Sequence, residues 1–149
     1  MQKEIKKGVY LLKIYLSQNK IIKIGALGEC EFPQGYYFYA GSAQRNLPAR
    51  VRRHYSEEKK YHWHIDYLLG EAELIDDFAF ELPKKGECFL TDLMINNNGR
   101  IVVPTFGAGD CSCRSHLVFF QKNFAKVFVN ELLYNIDVNS EFKEWLYGR

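Results

Sequence analysis

The chain has 149 residues, 47% of them hydrophobic and 15% aromatic. That is enough apolar material for one domain with a sizeable core and too much for a disordered chain. The formal charge of +2 excludes a global field that would draw in polyanions and leaves local basic patches to do so. Met1 to Lys7 is charged, and no small-residue cleavage site follows an apolar run, so no secretion signal is expected. No stretch is apolar enough to span a bilayer. Four cysteines without an export signal point to a reducing cytoplasm, with thiols free or on a metal.

Gly8 to Leu16 is apolar, β-branched and aromatic, and reads as a buried strand. Its alternation puts Tyr10, Leu12, Ile14 and Leu16 on one face and Val9, Leu11, Lys13 and Tyr15 on the other. Ser17 to Lys20 is a turn, and Ile21 to Leu27 is expected to return as the second strand of a hairpin. Gly28 to Gly35 reads as a loop. Tyr36 to Ala40 is a further strand, with Gly41 at its turn. Asn46 is a candidate cap and Pro48 a first-turn residue for a helix running to Tyr55. Tyr61 to Leu69 has helical spacing, ended by Gly70. Glu73 to Phe80 reads as a strand. Glu87 to Ile95 reads as a helix with Phe89, Leu90, Leu93 and Met94 inward, stopped by Asn96-Asn97-Asn98-Gly99. Ile101 to Val103 is a candidate short strand, Gly107 to Asp110 a flexible loop, and His116 to Phe120 an apolar strand. From residue 121 the pattern is ambiguous. Phe124, Val127, Phe128 and Leu132 fit a helix, while Val127 to Val129 also fits a strand. Ser140 to Gly148 reads as a helix capped by Ser140. The sum is a single α+β domain, residues 1–149, with 121–149 as a C-terminal extension.

The chemistry concentrates between Tyr39 and His54. Arg50 and His54 are four apart and share a helix face, next to a tyrosine at a strand end. Hydrolysing a phosphodiester needs a cation for the developing charge and a group that moves a proton. Taken one at a time, Tyr39 also reads as core and Arg50 as a solvated charge. Arg45, Arg50, Arg52, Arg53, Lys59 and Lys60 crowd the same region, a local patch able to bind nucleic-acid phosphates. Arg52 and Arg53 are expected to turn away from Arg50.

Tyr39-Ala40-Gly41-Ser42, then Asn46-Leu47, Arg50 and His54, resembles the second half of the GIY-YIG nuclease signature. Gly8-Val9-Tyr10 resembles the first half. The glycine-rich lead-in to Cys111, Cys113 and His116, together with His64-Ile65-Asp66, is similar to the small stand-alone Uri-type branch. This resemblance covers most of Gly8 to Phe120. It implies a small, mostly antiparallel sheet flanked by helices, and a Mg2+- or Mn2+-dependent endonuclease acting on DNA, in repair or processing, with RNA also open. Tyr10, Tyr39, Arg50, His54 and Glu87 would be catalytic, and Glu87 would hold the ion. Glu81 and Glu73 are its rivals, both placed in a strand.

Two features depart from that pattern. The motif halves are separated by an additional strand and loop, which we read as an insertion. Pro104-Thr105-Phe106-Gly107 stands where the family often has Pro-x-Tyr-Asn, and Gly107 cannot supply an asparagine side chain; Asn96 to Asn98 and Asp110 are candidate substitutes. Cys111, Cys113 and His116, with Cys88 as a fourth, could bind Zn2+. Buried thiols, a packing seam or a nucleic-acid contact through Arg114 and Ser115 are equally open there. A non-catalytic nucleic-acid-binding module and a zinc-stabilised interaction domain are the alternative functions. His64 and Asp66 read as structural or substrate contacts.

Overall fold

A computed structural model describes residues 4–108 and 114–148. Four antiparallel strands form the central sheet: β1 (Gly8–Leu16), β4 (Gly35–Ala43), β5 (Glu73–Phe80) and β6 (Leu117–Phe120), in the order β5-β1-β4-β6. β1 runs through the middle because its residues are apolar on both sides. Tyr10, Leu12, Ile14 and Leu16 enter one core cluster, while Val9 and Leu11 enter the other. Strands buried on both faces carry near-continuous apolar runs. The α+β class and the alternation of β1 are as the sequence implies.

The hairpin expected between β1 and the next strand does not form. β2 (Lys20–Lys23) pairs with β3 (Glu29–Phe32) in a separate two-stranded sheet, joined by a 3-10 turn at Gly25–Leu27. β1 instead pairs along its whole length with β4, Tyr10 opposite Gly41 and Leu12 opposite Tyr39. The reason lies in burial. β1 and β4 each bury both faces, whereas β2 exposes Ile21 and Lys23, so β2 cannot replace β4 in the centre. The segment between β1 and β4 therefore forms its own hairpin, and Gly8–Tyr10 and Tyr39–Ser42 lie on neighbouring strands.

α1 (Leu47–Tyr55) follows β4. The Asn46 side chain accepts the Ala49 N–H at 3.1 Å, and Pro48 lies in the first turn. α2 (His64–Leu69) is shorter than the expected Tyr61 to Leu69. Its start is fixed by Asp66, whose carboxylate accepts the backbone N–H groups of His62 at 2.8 Å and Trp63 at 2.9 Å. α3 (Gly86–Ile95) follows β5, and the Asn97 amide bonds back to Leu93 O at its end. Ile101 to Val103 is not a strand. Only Arg100 bridges to Phe119, through both backbone groups.

The tail is helical: α4 (Lys122–Val127), a π-helical segment Phe128–Leu133, then α5 (Val138–Tyr147). The cap of α5 is Asp137, not Ser140; the Ser140 N–H donates to the Asp137 carboxylate. This tail is part of the core. Phe128, Val129, Leu133 and Phe142 pack with Phe89, Leu90 and Met94 of α3 against Phe38 and Phe120. The stacked rings of Phe120 and Phe128 lie 5.2 Å apart. Trp145 Nε1 donates to Asp92 of α3 at 2.8 Å. No described helix is long and apolar enough to cross a membrane.

Candidate active site

Three chain segments converge at one end of the sheet: the start of β1, the end of β4 leading into α1, and the loop from β5 into α3. Tyr10 is the third residue of β1 and is buried. Its ring lies over Gly41, where a Cβ would come within 2.5 Å of the phenol. Gly41 stands inside β4 rather than in a turn. Its lack of a side chain makes room for the tyrosine.

The Tyr10 hydroxyl is 2.8 Å from His54 Nε2. Burial, partly offset by Asp66, lowers the His54 pKa to about 4, so the ring is neutral at pH 7. The direction of the Tyr10–His54 bond follows the imidazole tautomer: with the ring proton on Nδ1, the phenol donates to Nε2. The Arg50 guanidinium lies near enough to the Tyr10 oxygen to favour its ionised form. Burial raises the Tyr10 pKa to about 12 in spite of Arg50. Forming the phenolate in advance at pH 7 would cost about 7 kcal/mol, at 1.36 kcal/mol per unit. Tyr10 is thus no standing base. With the imidazole proton on Nδ1, the contact suits a relay, in which the oxygen takes one proton as it passes another to His54. Tyr39 is more deeply desolvated, and burial keeps its phenol protonated. Its ring packs near Phe106 and His54, at 6.1 Å and 6.5 Å.

Ser42 ties the two halves of the site together. Its carbonyl accepts from Arg50 Nη1 at 3.2 Å, and its hydroxyl donates to Glu87 Oε1 at 3.1 Å. Glu87 sits in the first turn of α3, as expected, and is largely buried. Its other oxygen is 3.5 Å from His116 Nδ1. Burial, then Lys84, lowers the His116 pKa. The site straddles the sheet end. Tyr10, Tyr39 and His54 lie on the side of α1, while Ser42, Glu87 and His116 lie on the side of α3. Glu87 is close enough for its charge to raise the Tyr10 pKa. Of the rivals, Glu73 lies within β5 at the far end from Tyr10, opposite Tyr15, and Glu81 directly follows β5.

The basic residues divide. Arg53 is three residues on from Arg50, so the two share a side of the helix instead of pointing apart. Both guanidinium carbons lie over the Trp63 ring, at 4.5 Å for Arg50 and 4.4 Å for Arg53. Arg53 holds Asp66 through two hydrogen bonds of 2.9 Å and 3.0 Å. Burial works to raise the Asp66 pKa, but the bonds from Arg53, Trp63 and His62 outweigh it and keep the carboxyl ionised. Arg53 and Asp66 thus brace α1 against α2. Lys59 Nζ donates to the carbonyls of His54 and Ser56 and closes the end of α1. Arg45, Arg52, Lys60 and Arg114 are exposed. Trp63 and Ser42 are the contributors that sequence reasoning missed. An aromatic residue beside paired arginines is the only signal that could have flagged Trp63.

Gly107 has a φ of +69°, and its N–H donates to His64 Nδ1 at 2.9 Å. A Cβ here would come within 2.9 Å of the Tyr39 ring. An asparagine would collide with Tyr39, so the departure from the expected motif is built into the packing. Asn97 serves the end of α3, and Asp110 lies outside the described residues.

Glu87 and Ser42 offer hard oxygen donors at one spot. Mg2+ and Mn2+ are commonly held by one or two carboxylates, with waters and substrate phosphate completing the shell. The donor set fits such an ion. The zinc reading fares differently. Cys88 is disulfide-bonded, so its sulfur is neither a free thiol nor a zinc ligand here. Disulfide pairing follows from folded geometry, which spacing along the chain does not reveal. Cys111 and Cys113 lie outside the described residues, and Cys30 is a free thiol. Among the described residues no cluster of three or more His, Cys, Asp and Glu could hold a metal.

Fold and site together define a single α+β domain with a polar centre at one sheet end. The chain belongs to the family described as "Domain of unknown function DUF123", which matches residues 9–136, from β1 past the π-helical segment. No curated protein and no solved structure matches it.

Proposed function

We propose that this protein is a divalent-metal-dependent endonuclease that hydrolyses DNA phosphodiester bonds at the Tyr10–His54–Arg50–Glu87 centre. One observation carries the reading. The Tyr10 oxygen is 2.8 Å from His54 Nε2 and feels the charge of Arg50, and Ser42 links Arg50 to Glu87. A proton relay, a fixed cation and a carboxylate thereby meet at one place. The resemblance of the Tyr10, Tyr39, Arg50 and His54 segments to the GIY-YIG signature supports the same reading.

In this mechanism Tyr10 receives the proton of the attacking water as its own proton moves to His54 Nε2. Burial holds the His54 pKa near 4, so the imidazole is neutral at pH 7 with a lone pair free, and it passes the proton on rather than storing it. Arg50 places a planar, permanently charged fork toward the non-bridging phosphate oxygens. Trp63 limits its rotamers by stacking on it. Tyr39 and Phe106 wall the site. Glu87 and Ser42 would hold the divalent ion, which when bound neutralises charge on the phosphate and leaving oxygen.

The test is a nicking assay on supercoiled plasmid and on a panel of flap, mismatched, single-stranded and linear substrates with Mg2+ or Mn2+. Ion-dependent nicking of at least one substrate, abolished by a chelator, is expected. Absence of cleavage across the panel with either ion, in protein that binds the same substrates, would contradict it.

A further inference from the structure

A groove of about 1020 Å3 opens beside the site, lined by Glu4, Lys6, Lys7, Gln44, Arg45 and the Glu81–Pro83 turn. Its walls are the same three segments that build the active centre. Lys6 and Lys7 lead directly into β1, with Tyr10 three residues after Lys7. Gln44 and Arg45 follow Ala43 at the end of β4, three residues or fewer from Ser42. Residues 81–83 lead toward Glu87. The Leu47 N–H donates to Lys6 O at 2.8 Å and fixes the lysine segment against the start of α1. Lys6, Lys7 and Arg45 are exposed, and none makes an ion pair among the described residues. Of the other cations in the basic region, Arg53 is engaged on Asp66 and Lys59 on backbone carbonyls, while Arg52 and Lys60 are exposed outside the groove. Another large hollow, next to β2 and β3, is lined by Lys20 and Arg100 among others. Lys20 pairs there with Glu71, and Arg100 lies over the Phe119 ring.

We propose that this groove carries the sugar-phosphate backbone of the substrate strand next to the scissile bond, with Lys6, Lys7 and Arg45 each meeting a phosphate. The inference rests on the nuclease reading and deepens it, since it names the path by which a strand enters the site. Counterion release makes such binding salt-dependent, and each phosphate that a side chain neutralises adds about one unit to the slope of log affinity against log salt. Glu4 and Glu81 also line the groove, and their carboxylates repel a phosphate there. Removing one of them should tighten binding.

The test measures binding of a fluorescein-labelled DNA duplex with a single-stranded tail by anisotropy, in chelator, from low to physiological salt. The Lys6→Ala/Lys7→Ala/Arg45→Ala variant should weaken binding and reduce the salt slope by about three. A charge-matched control, Lys122→Ala/Lys126→Ala/Lys143→Ala on α4 and α5, should leave the slope near wild type. Lys6→Arg/Lys7→Arg/Arg45→Lys should restore it, and Glu81→Gln should raise affinity. All substituted residues are exposed, and unchanged circular-dichroism melts confirm folding. Equal slopes for the groove and control variants, in protein that binds and cleaves, would overturn the groove and leave the nuclease standing. A reduced slope only in the groove variant, without cleavage under any ion, would support the groove and remove the catalytic reading. A wild-type chain that neither binds nor cleaves would end both.

Discussion

The two faces of the central sheet are both buried, yet they do different work. The face under α3 and the C-terminal helices is almost wholly apolar: Val9, Leu11, Phe38, Ala40, Phe89, Phe120, Phe128 and Phe142 interlock there. The face under α1 and α2 is apolar through Leu12, Ile14, Tyr37 and Phe106, but at the sheet end it gives way to Tyr10, His54 and Arg50. One face is sealed by aromatic packing. The other buries polar groups, which is costly unless they are bonded. The lesson is that the sealed face provides the rigidity on which the polar end is held. Ser42 joins them, because its hydroxyl bonds Glu87 on the sealed face and its carbonyl accepts from Arg50 on the other.

Substitutions on each face should separate these roles. Phe142→Ala removes a ring from the sealed face, near Phe89 and Trp145. It should cost about 3–5 kcal/mol of stability, by denaturant melts, with the cleavage rate of the folded fraction unchanged. A large rate loss with full stability would break the division.

Arg50→Ala should cost about 2.7–4 kcal/mol in the transition state, a loss of a hundredfold or more in turnover at saturating DNA. Arg53→Ala, three residues on, leaves the buried Asp66 carboxylate without its cation, so it should lower the melting temperature and spare turnover. Equal turnover losses for the two variants would merge what the geometry separates.

A smaller effect concerns acid. His54 has a folded pKa of about 4 against an ordinary 6.5. Between those values the unfolded chain binds a proton that the folded chain refuses. The contribution is complete above pH 6.5 and is lost as pH falls toward 4. Melting temperature should therefore decline over that window, and His54→Gln should flatten the decline. An unchanged slope in His54→Gln would place the acid sensitivity elsewhere.

Much of this was legible in the sequence because it rests on local rules. The alternation of β1 separates Tyr10 from Tyr15, the Asn46 cap and Pro48 start α1, and spacing by four brings Arg50 and His54 together. Pairing was less legible. Nothing local says that β1 skips β2 to join β4, since that choice depends on which strand can bury both faces. The tail was ambiguous because Val127-Phe128-Val129 is β-prone by composition, and only its packing on Phe38 and Phe120 makes it helical. Arg53 and Lys59 looked like phosphate ligands because charge is visible in sequence and its partner is not. Ser42, as a link from Arg50 to Glu87, depends on a backbone carbonyl that no motif records.

The central claim is that the Tyr10 hydroxyl handles the proton. Tyr10→Phe keeps the ring over Gly41 and removes only the oxygen bonded to His54. Single-turnover cleavage by Tyr10→Phe, compared with Tyr15→Phe on the opposite face, tests it most directly. The account predicts a loss of about a hundredfold or more for Tyr10→Phe, with folding and DNA binding near normal and Tyr15→Phe unaffected. A near-normal rate for Tyr10→Phe would contradict it.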